Sequence, residues 1–314
     1  MTCEVYVGAA HYAAGTLLPI EHGIPDPAIC ASLRAGNHGA NTYAHHASDI
    51  LELAEAAMRA CLAGAALRPG QIDAVFLVSS ALDARNNLDP AWLGDLNERL
   101  ELDQAVHYHI GITGCGGFHW AARLAAGLVG AGSCSRILVV CFDQAAGPLQ
   151  RLYGEGTSFT YVTGDAAAAC VIGNSAEGLD YRLLGQVVNL YDGKQIARPS
   201  IDSEIETISR LFQKTYEQAG LSPRDIDAFI TNNYSLDISR LYCQLAGLPF
   251  AKAWTSTIAT HAHCFSADNL INLSQLTAAG GMKDGDTALL FSTGPIQWGA
   301  CVLQKLPRST ERAC

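Results

Sequence analysis

The sequence is poor in charge. Only 16% of its residues are Asp, Glu, Lys or Arg, and 30 acidic against 20 basic residues leave a formal charge of −10. Such a chain has no overall basic field to hold nucleic acid or an anionic membrane surface. No arginine-rich stripe supplies one locally. Long hydrophobic runs are also missing: none approaches the ~20 residues of a membrane span. The opening Met1-Thr2-Cys3-Glu4-Val5-Tyr6-Val7-Gly8 has no basic region and carries Glu4 early, so it reads as a first strand rather than a signal peptide. Cys314, as the last residue, is misplaced for a prenylation box. These absences predict a cytoplasmic protein with neither a nucleic-acid nor a membrane partner.

Apolar residues make up 49% of the 314, enough for a large core in a compact α/β enzyme. The eleven cysteines are odd in number and follow no spacing pattern. That suits a reducing compartment without a disulfide framework. A free cysteine is usually a small buried hydrophobe, and most of the eleven read as packing or surface.

Cys115 reads differently. The stretch Ala105-Val106-His107-Tyr108-His109-Ile110-Gly111-Ile112 has the character of a strand, and an apolar helix is predicted over 119–129. Between them stands Thr113-Gly114-Cys115-Gly116-Gly117-Phe118. A cysteine there lies at a helix N-terminus, where the helix dipole favours negative charge on sulfur. Flanking glycines permit a sharp bend and close approach of a substrate to main-chain N–H groups. A nucleophile that works on thioesters needs this combination.

The chain also repeats itself. Leu67-Arg68-Pro69-Gly70-Gln71-Ile72-Asp73-Ala74-Val75-Phe76 recurs as Leu221-Ser222-Pro223-Arg224-Asp225-Ile226-Asp227-Ala228-Phe229-Ile230. Each copy follows an amphipathic helix, predicted over 49–64 and 204–220, and each leads into a strand. Ile137-Leu138-Val139-Val140-Cys141-Phe142-Asp143 and Ala288-Leu289-Leu290-Phe291-Ser292-Thr293-Gly294 stand at nearly the same offset. The pattern predicts a duplicated α/β unit: residues 1–175 carry the cysteine, 176–314 form a second half, and the boundary lies near Asn174 to Gly178. Short, continuous apolar strands suit sheets buried on both faces. The helix after Cys115 is apolar on nearly all sides and is expected at the centre. Pseudo-symmetry makes His263-Cys264-Phe265-Ser266-Ala267-Asp268 the counterpart of the Cys115 turn.

These motifs resemble the 3-oxoacyl-ACP synthase III group of the thiolase superfamily over nearly the whole chain. Gly114-Cys115-Gly116-Gly117-Phe118 resembles that family's cysteine elbow. Thr163-Gly164-Asp165-Ala166-Ala167-Ala168 resembles its Phe-Gly-Asp-Gly-Ala-Gly segment. Gly294-Pro295-Ile296-Gln297-Trp298-Gly299-Ala300 resembles its C-terminal glycine loop. The resemblance implies a duplicated α-β-α-β-α layered fold and acyl transfer through a cysteine thioester. It implies an oxyanion hole from the N–H groups of Cys115 and Gly294, and a homodimer. The run after Thr163-Gly164-Asp165 and the strand before Cys115 resemble the segments that join the protomers. No permanently bound cofactor or metal is implied. Acyl-coenzyme A and an acyl carrier protein both stay open as the donor, the carrier protein being also a candidate partner.

Two departures bear on function. The ketosynthases carry a histidine in a Pro-His-Gln-Ala-Asn-like segment, whereas Thr231-Asn232-Asn233-Tyr234-Ser235 puts Asn232 there. Their asparagine segment is matched by His261-Ala262-His263-Cys264-Phe265-Ser266-Ala267-Asp268. The pair that serves a decarboxylating malonyl thioester is therefore absent as such, with Asn232 a possible supporting residue. The His-Cys-Phe-x-Ala-Asp pattern resembles the synthase-III-like acyltransferases of secondary metabolism. That resemblance implies a Cys115, His263 and Asp268 site, with His263 as the base and Asp268 orienting it. The acceptor would be an oxygen or nitrogen of a small molecule. A carbon–carbon condensing enzyme and a non-catalytic thiolase-fold partner subunit are the competing readings. The pocket-lining loop 81–92 carries no readable substrate code. His119, four residues beyond Cys115, reads as a packed helix residue. The pairs His107-x-His109 and His261-x-His263 lack a second cluster with zinc spacing.

Overall fold

The computed structural model describes residues 4–80, 90–145, 150–155, 159–194, 200–294 and 296–307. Cys3, Cys314, Pro295 and most of the expected pocket loop (81–89) lie outside the described residues.

In the first half, strands β1 (Tyr6–Ala14), β2 (Thr16–Pro19) and β3 (Thr42–His45) flank helix α1 (Pro27–Arg34). Helix α2 (Ile50–Ala65) starts where the Asp49 carboxylate accepts the N–H of Leu51 and stops at Ala66 in the left-handed region. A 3₁₀ turn at Pro69–Gln71 leads into β4 (Ala74–Val78), followed by α3 (Pro90–Leu100) and β5 (Val106–Ile110). A second 3₁₀ turn, Gly114–Gly116, opens α4 (Gly117–Gly130). Then come β6 (Arg136–Asp143), the short β7 (Leu152–Tyr153) and β8 (Tyr161–Val162), and β9 (Ala166–Gly173).

The second half runs through β10 (Tyr181–Tyr191), α5 (Ile201–Ala219), a 3₁₀ turn at Pro223–Asp225, β11 (Ala228–Ile230) and α6 (Leu236–Ala246). A 3₁₀ turn, Phe265–Ala267, precedes α7 (Asp268–Ala278), and β12 (Thr287–Thr293) and β13 (Gln297–Lys305) finish the chain.

One sheet of nine strands has the order β11-β12-β13-β10-β1-β9-β6-β4-β5. From its middle the order is mirrored. β1-β9-β6-β4 runs one way and β10-β13-β12-β11 the other, and matching neighbours share the same parallel or antiparallel sense. Past β4 lies β5; past β11 stands a single parallel bridge from Phe229 to Ala253. The sequence predicts two sheets packed about shared helices. The structure joins them through β1 and β10, which pair at only two positions, Tyr6 with Arg182 and Val7 with Tyr181.

Strand alternation sorts the core into layers. Phe76, Val78, Val139, Cys141, Cys170, Leu290 and Cys301 face a central cluster with Phe118, Ala121 and Ala125 of α4 and Leu270 and Leu273 of α7. Their neighbours Val75, Leu77, Leu138 and Val140 face α2 on one outer side. Leu289, Phe291, Ala300 and Val302 face α5 and α6 on the other. Helix, sheet, helix, sheet, helix is the result. The alanine run of β9, buried along its whole length, lets helices approach from both faces.

The central helix is not enclosed all round. Arg123, Leu124 and Gly127 of α4 are exposed, Leu124 at 53%. The edge strand β5 likewise carries exposed Val106 and Tyr108.

Candidate active site

Cys115 sits in the Gly114–Gly116 turn, partly buried, at the start of α4. Gly114 adopts φ 50°, a left-handed conformation that glycine takes without strain. Ile112, just before it, is at φ 58°. A β-branched residue rarely adopts that conformation. Its carbonyl is held by the Gln297 side-chain amide at 2.8 Å.

His263 reaches Cys115 from the second half of the chain, 148 positions away. Its Nε2 lies 3.0 Å from the Cys115 Sγ. The backbone explains how the imidazole is placed. His263 forms a parallel bridge with Thr163; its N–H donates to Val162 (3.0 Å), and Gly164 donates to its carbonyl (2.9 Å). So the Thr163-Gly164-Asp165 motif is the seat of the histidine segment. Asp165 anchors that seat, accepting from the N–H groups of His46 and Ala145 and from Arg151, each at 2.9 Å.

A Cβ on Gly164 would stand 2.2 Å from the His261 carbonyl oxygen. Gly164→Ala must therefore push the histidine segment away. Placement errors near 1 Å can cost about 10²-fold in rate. We expect acyl transfer by Gly164→Ala to drop by about that factor, with a lower melting temperature. Wild-type transfer rates in this variant would show that the seat does not fix the histidine.

Asp268 completes the line. Its Oδ2 is 2.5 Å from His263 Nδ1, and both side chains are fully buried. The carboxylate also accepts from the N–H of Asn233 (2.8 Å), the side-chain amide of Asn233 (3.1 Å) and the N–H of Cys264 (2.7 Å). Asn233 is in turn fixed through its Oδ1 by Thr257 (3.0 Å) and by the Asn272 amide (2.9 Å). The aspartate is thus locked towards Nδ1, which leaves Nε2 facing the sulfur.

Burial works against a charged His263. The Asp268 carboxylate, negative charge on Cys115 and hydrogen bonds to both outweigh it and push the imidazole up to about 10. A group raised in this way lends its full stabilisation below its ordinary pKa, near 6.5, and loses it as pH rises through about 10.

The structure places the remaining sequence candidates as follows. Asn232 is buried behind Asp268. Its Oδ1 accepts from the Thr293 N–H (2.9 Å), and its amide sits 3.5 Å from both the Phe265 carbonyl and Asp268. Gly294 lies beside the elbow, but its N–H donates to the Gln297 carbonyl at 2.7 Å instead of standing open for an oxyanion. Cys264 points away, its Sγ towards the His261 carbonyl (3.6 Å). His119 is fully buried, with Nδ1 at 2.6 Å from the Ser292 hydroxyl, and burial pushes it down to about 3.

Two aromatic residues at the site escaped the sequence reading. The ring of Tyr234 lies 4.4 Å from that of His263, and Tyr161 stands edge-on to His263 at 5.3 Å. Asn233 escaped it as well. These residues lie far along the chain from Cys115 and His263 or carry no local pattern of their own. The only signal was the segment Thr231-Asn232-Asn233-Tyr234-Ser235, read for Asn232 alone.

Comparisons with known proteins identify the family. The family model for 3-oxoacyl-[acyl-carrier-protein (ACP)] synthase III matches residues 112–189, and the model for its C-terminal part matches residues 216–305. The chain belongs to the synthase III group of the thiolase superfamily. A beta-ketoacyl-[acyl-carrier-protein] synthase III of Mesorhizobium japonicum is 27% identical over 281 residues, covering 80% of this chain and 83% of the relative. One from Deinococcus radiodurans is 25% identical, covering 75% of each. Among solved structures, the acyltransferase ChlB3 superposes with a TM-score of 0.83 at 21% identity, covering 96% of this chain and 98% of its own. The priming beta-ketosynthase of the R1128 polyketide pathway gives 0.77 at 20% identity, covering 98% and 97%. The fold of the family is therefore the one described here, and an acyl-transferring or condensing enzyme is the class it defines.

Among the described residues, no group of three side chains could hold a metal ion, and no helix is long and apolar enough to cross a membrane.

Proposed function

We propose that the protein moves an acyl group from a coenzyme A or carrier-protein thioester, through Cys115, to an oxygen or nitrogen of a small molecule. The reaction would be cytoplasmic and part of secondary metabolism, without a permanent cofactor. The observation that carries this reading is the continuous contact Cys115–His263–Asp268, at 3.0 and 2.5 Å.

The Cys115 thiolate attacks the thioester carbonyl carbon, forming a C–S bond and sending the carbonyl electron pair to oxygen. Collapse expels the donor's thiolate, which takes the His263 proton. Having given up that proton, the imidazole is left neutral. Its Nε2 then accepts a proton from the acceptor as that group attacks. Expulsion of Cys115 as a thiolate closes the cycle.

The curated relatives are named as condensing enzymes. Decarboxylative condensation needs donors aimed at an enolate oxygen. Asn232 is engaged behind Asp268 and Cys264 turns its sulfur away, which favours transfer to a heteroatom. The test is intact-protein mass spectrometry with a panel of acyl-coenzyme A and acyl-carrier donors. A malonyl-type donor should load without losing carbon dioxide. Rapid Cys115-dependent release of carbon dioxide would move the assignment to condensation.

The same proposal takes the chain as two halves meeting near Asn174 to Gly178, and as a homodimer joined at β5. Of the two segments that resemble protomer-joining ones, β9 is a central, buried strand and cannot serve as an edge. β5 is an edge strand with neither Lys nor Pro to protect it. Val106 and Tyr108 on the strand and Ile112 just beyond it are exposed apolar residues. Light scattering should give twice the chain mass, and Tyr108→Lys should lower it. A wild-type monomer at micromolar concentration would defeat this.

A further inference from the structure

The family resemblance implies two backbone donors for the oxyanion, and the structure engages one of them elsewhere: the Gly294 N–H is taken by Gln297 at 2.7 Å. A side-chain donor stands at the same place. The Tyr234 hydroxyl donates to the carbonyl of Thr293, the residue before Gly294, at 2.9 Å. That carbonyl stands at the cysteine elbow, since Gly294 lies against Thr113 and Gly116, on either side of Cys115. The ring is held from two sides, by His263 at 4.4 Å and Tyr161 at 4.7 Å between centroids. In the segment that Thr231-Asn232-Asn233-Tyr234-Ser235 resembles, this position is an alanine, so the hydroxyl is an addition in this chain.

We infer that Tyr234 is a catalytic residue, whose hydroxyl hydrogen-bonds the oxyanion formed when Cys115 attacks an acyl donor. The geometry is direct. When sulfur bonds to the carbonyl carbon, the new oxyanion lies one bond beyond that carbon, beside the sulfur. A donor held at the elbow, beside the imidazole that contacts the sulfur, needs only to turn its O–H from the Thr293 carbonyl to the oxyanion. That exchanges a neutral hydrogen bond for a charge-assisted one, which is about twice as strong. Burial, and after it negative charge on Cys115, push the phenol well up, so the hydroxyl keeps its proton. Collapse of the intermediate reforms the carbonyl, and the O–H returns to Thr293. No proton leaves Tyr234 in the cycle.

This inference rests on the reading that Cys115 becomes acylated, and its test does not require the physiological donor or acceptor. The probe is p-nitrophenyl acetate, whose attack by Cys115 forms an oxyanion and then releases nitrophenolate. Iodoacetamide alkylates the same sulfur by direct displacement and forms none. Tyr234→Phe keeps the ring and removes only the hydroxyl. The nitrophenolate burst should be present in the wild type and absent in Cys115→Ala. Tyr234→Phe should slow it by about 10²-fold, while alkylation stays within about twofold of the wild type. Unchanged alkylation also shows that the site is intact. A Tyr234→Phe burst at the wild-type rate overturns the inference. So does an equal fall in alkylation, which would mean that the hydroxyl serves the thiolate. A wild type with no Cys115-dependent burst refutes the acyl-enzyme reading itself, and the role of Tyr234 with it.

Discussion

Replacing Cys115 with alanine is expected to abolish covalent acylation and to lower turnover by at least about 10⁴-fold. The sulfur lies 3.0 Å from His263 Nε2, at the end of a line that runs back to the buried Asp268. Among the described residues the other cysteines are almost all buried, and none of them is in that line. Burial pushes Cys61, Cys141 and Cys264 well up, which makes them poor nucleophiles. The measurement is the intact mass after incubation with the donor panel. An adduct that survives in Cys115→Ala would place the nucleophile elsewhere.

His263→Ala should have the next largest effect, a loss of about 10²- to 10⁴-fold in transfer to the acceptor. An alcohol or amine must give up a proton as it attacks, and Nε2 is the base that faces the sulfur. The 3.0 Å contact also involves His263 in the first half-reaction, since its positive charge supports the thiolate. Loading should therefore slow too, though less than transfer, and acyl-enzyme should accumulate when donor and acceptor are both present. The pH dependence separates the two roles. In the wild type the imidazolium persists to high pH, because His263 is pushed up to about 10. Alkylation of Cys115 by iodoacetamide should then be faster in the wild type than in His263→Ala, and the difference should shrink as pH rises through about 10, where the imidazolium is lost. Transfer at the wild-type rate in His263→Ala would refute the assignment of the base.

Much of the fold is legible in the chain because duplication writes each element twice. Leu67 to Phe76 and Leu221 to Ile230 announce a helix end, a proline turn and a strand in both halves, and the structure puts 3₁₀ turns at Pro69–Gln71 and Pro223–Asp225. The continuous sheet was not legible, because two paired positions between β1 and β10 leave no trace in periodicity. Nor was the open face of α4. Leu124 has the same apolar character whether a helix buries it or leaves it 53% exposed.

At the site, the structure brings Cys115, His263 and Asp268 together, each drawn from a motif with a readable local context. Asn233 and Tyr234 had no such context. Their roles come from what lies opposite them in space: a carboxylate 35 positions on for Asn233, and a carbonyl 59 positions on for Tyr234. The engaged N–H of Gly294 was equally hidden, since a turn's hydrogen bonding is a matter of backbone angles.

The two 3₁₀ turns, Gly114–Gly116 and Phe265–Ala267, stand at matching places, each opening a central helix. One turn supplies the sulfur, and the segment that enters the other supplies the imidazole. Had the ancestor been a single half paired with its own copy, every substitution at that turn would have appeared on both sides of the site at once. A cysteine would have faced a cysteine, or a histidine a histidine. Fusion into one chain lifts that constraint and lets the two turns diverge separately. On this view the division of labour between Cys115 and His263 is a product of lost symmetry.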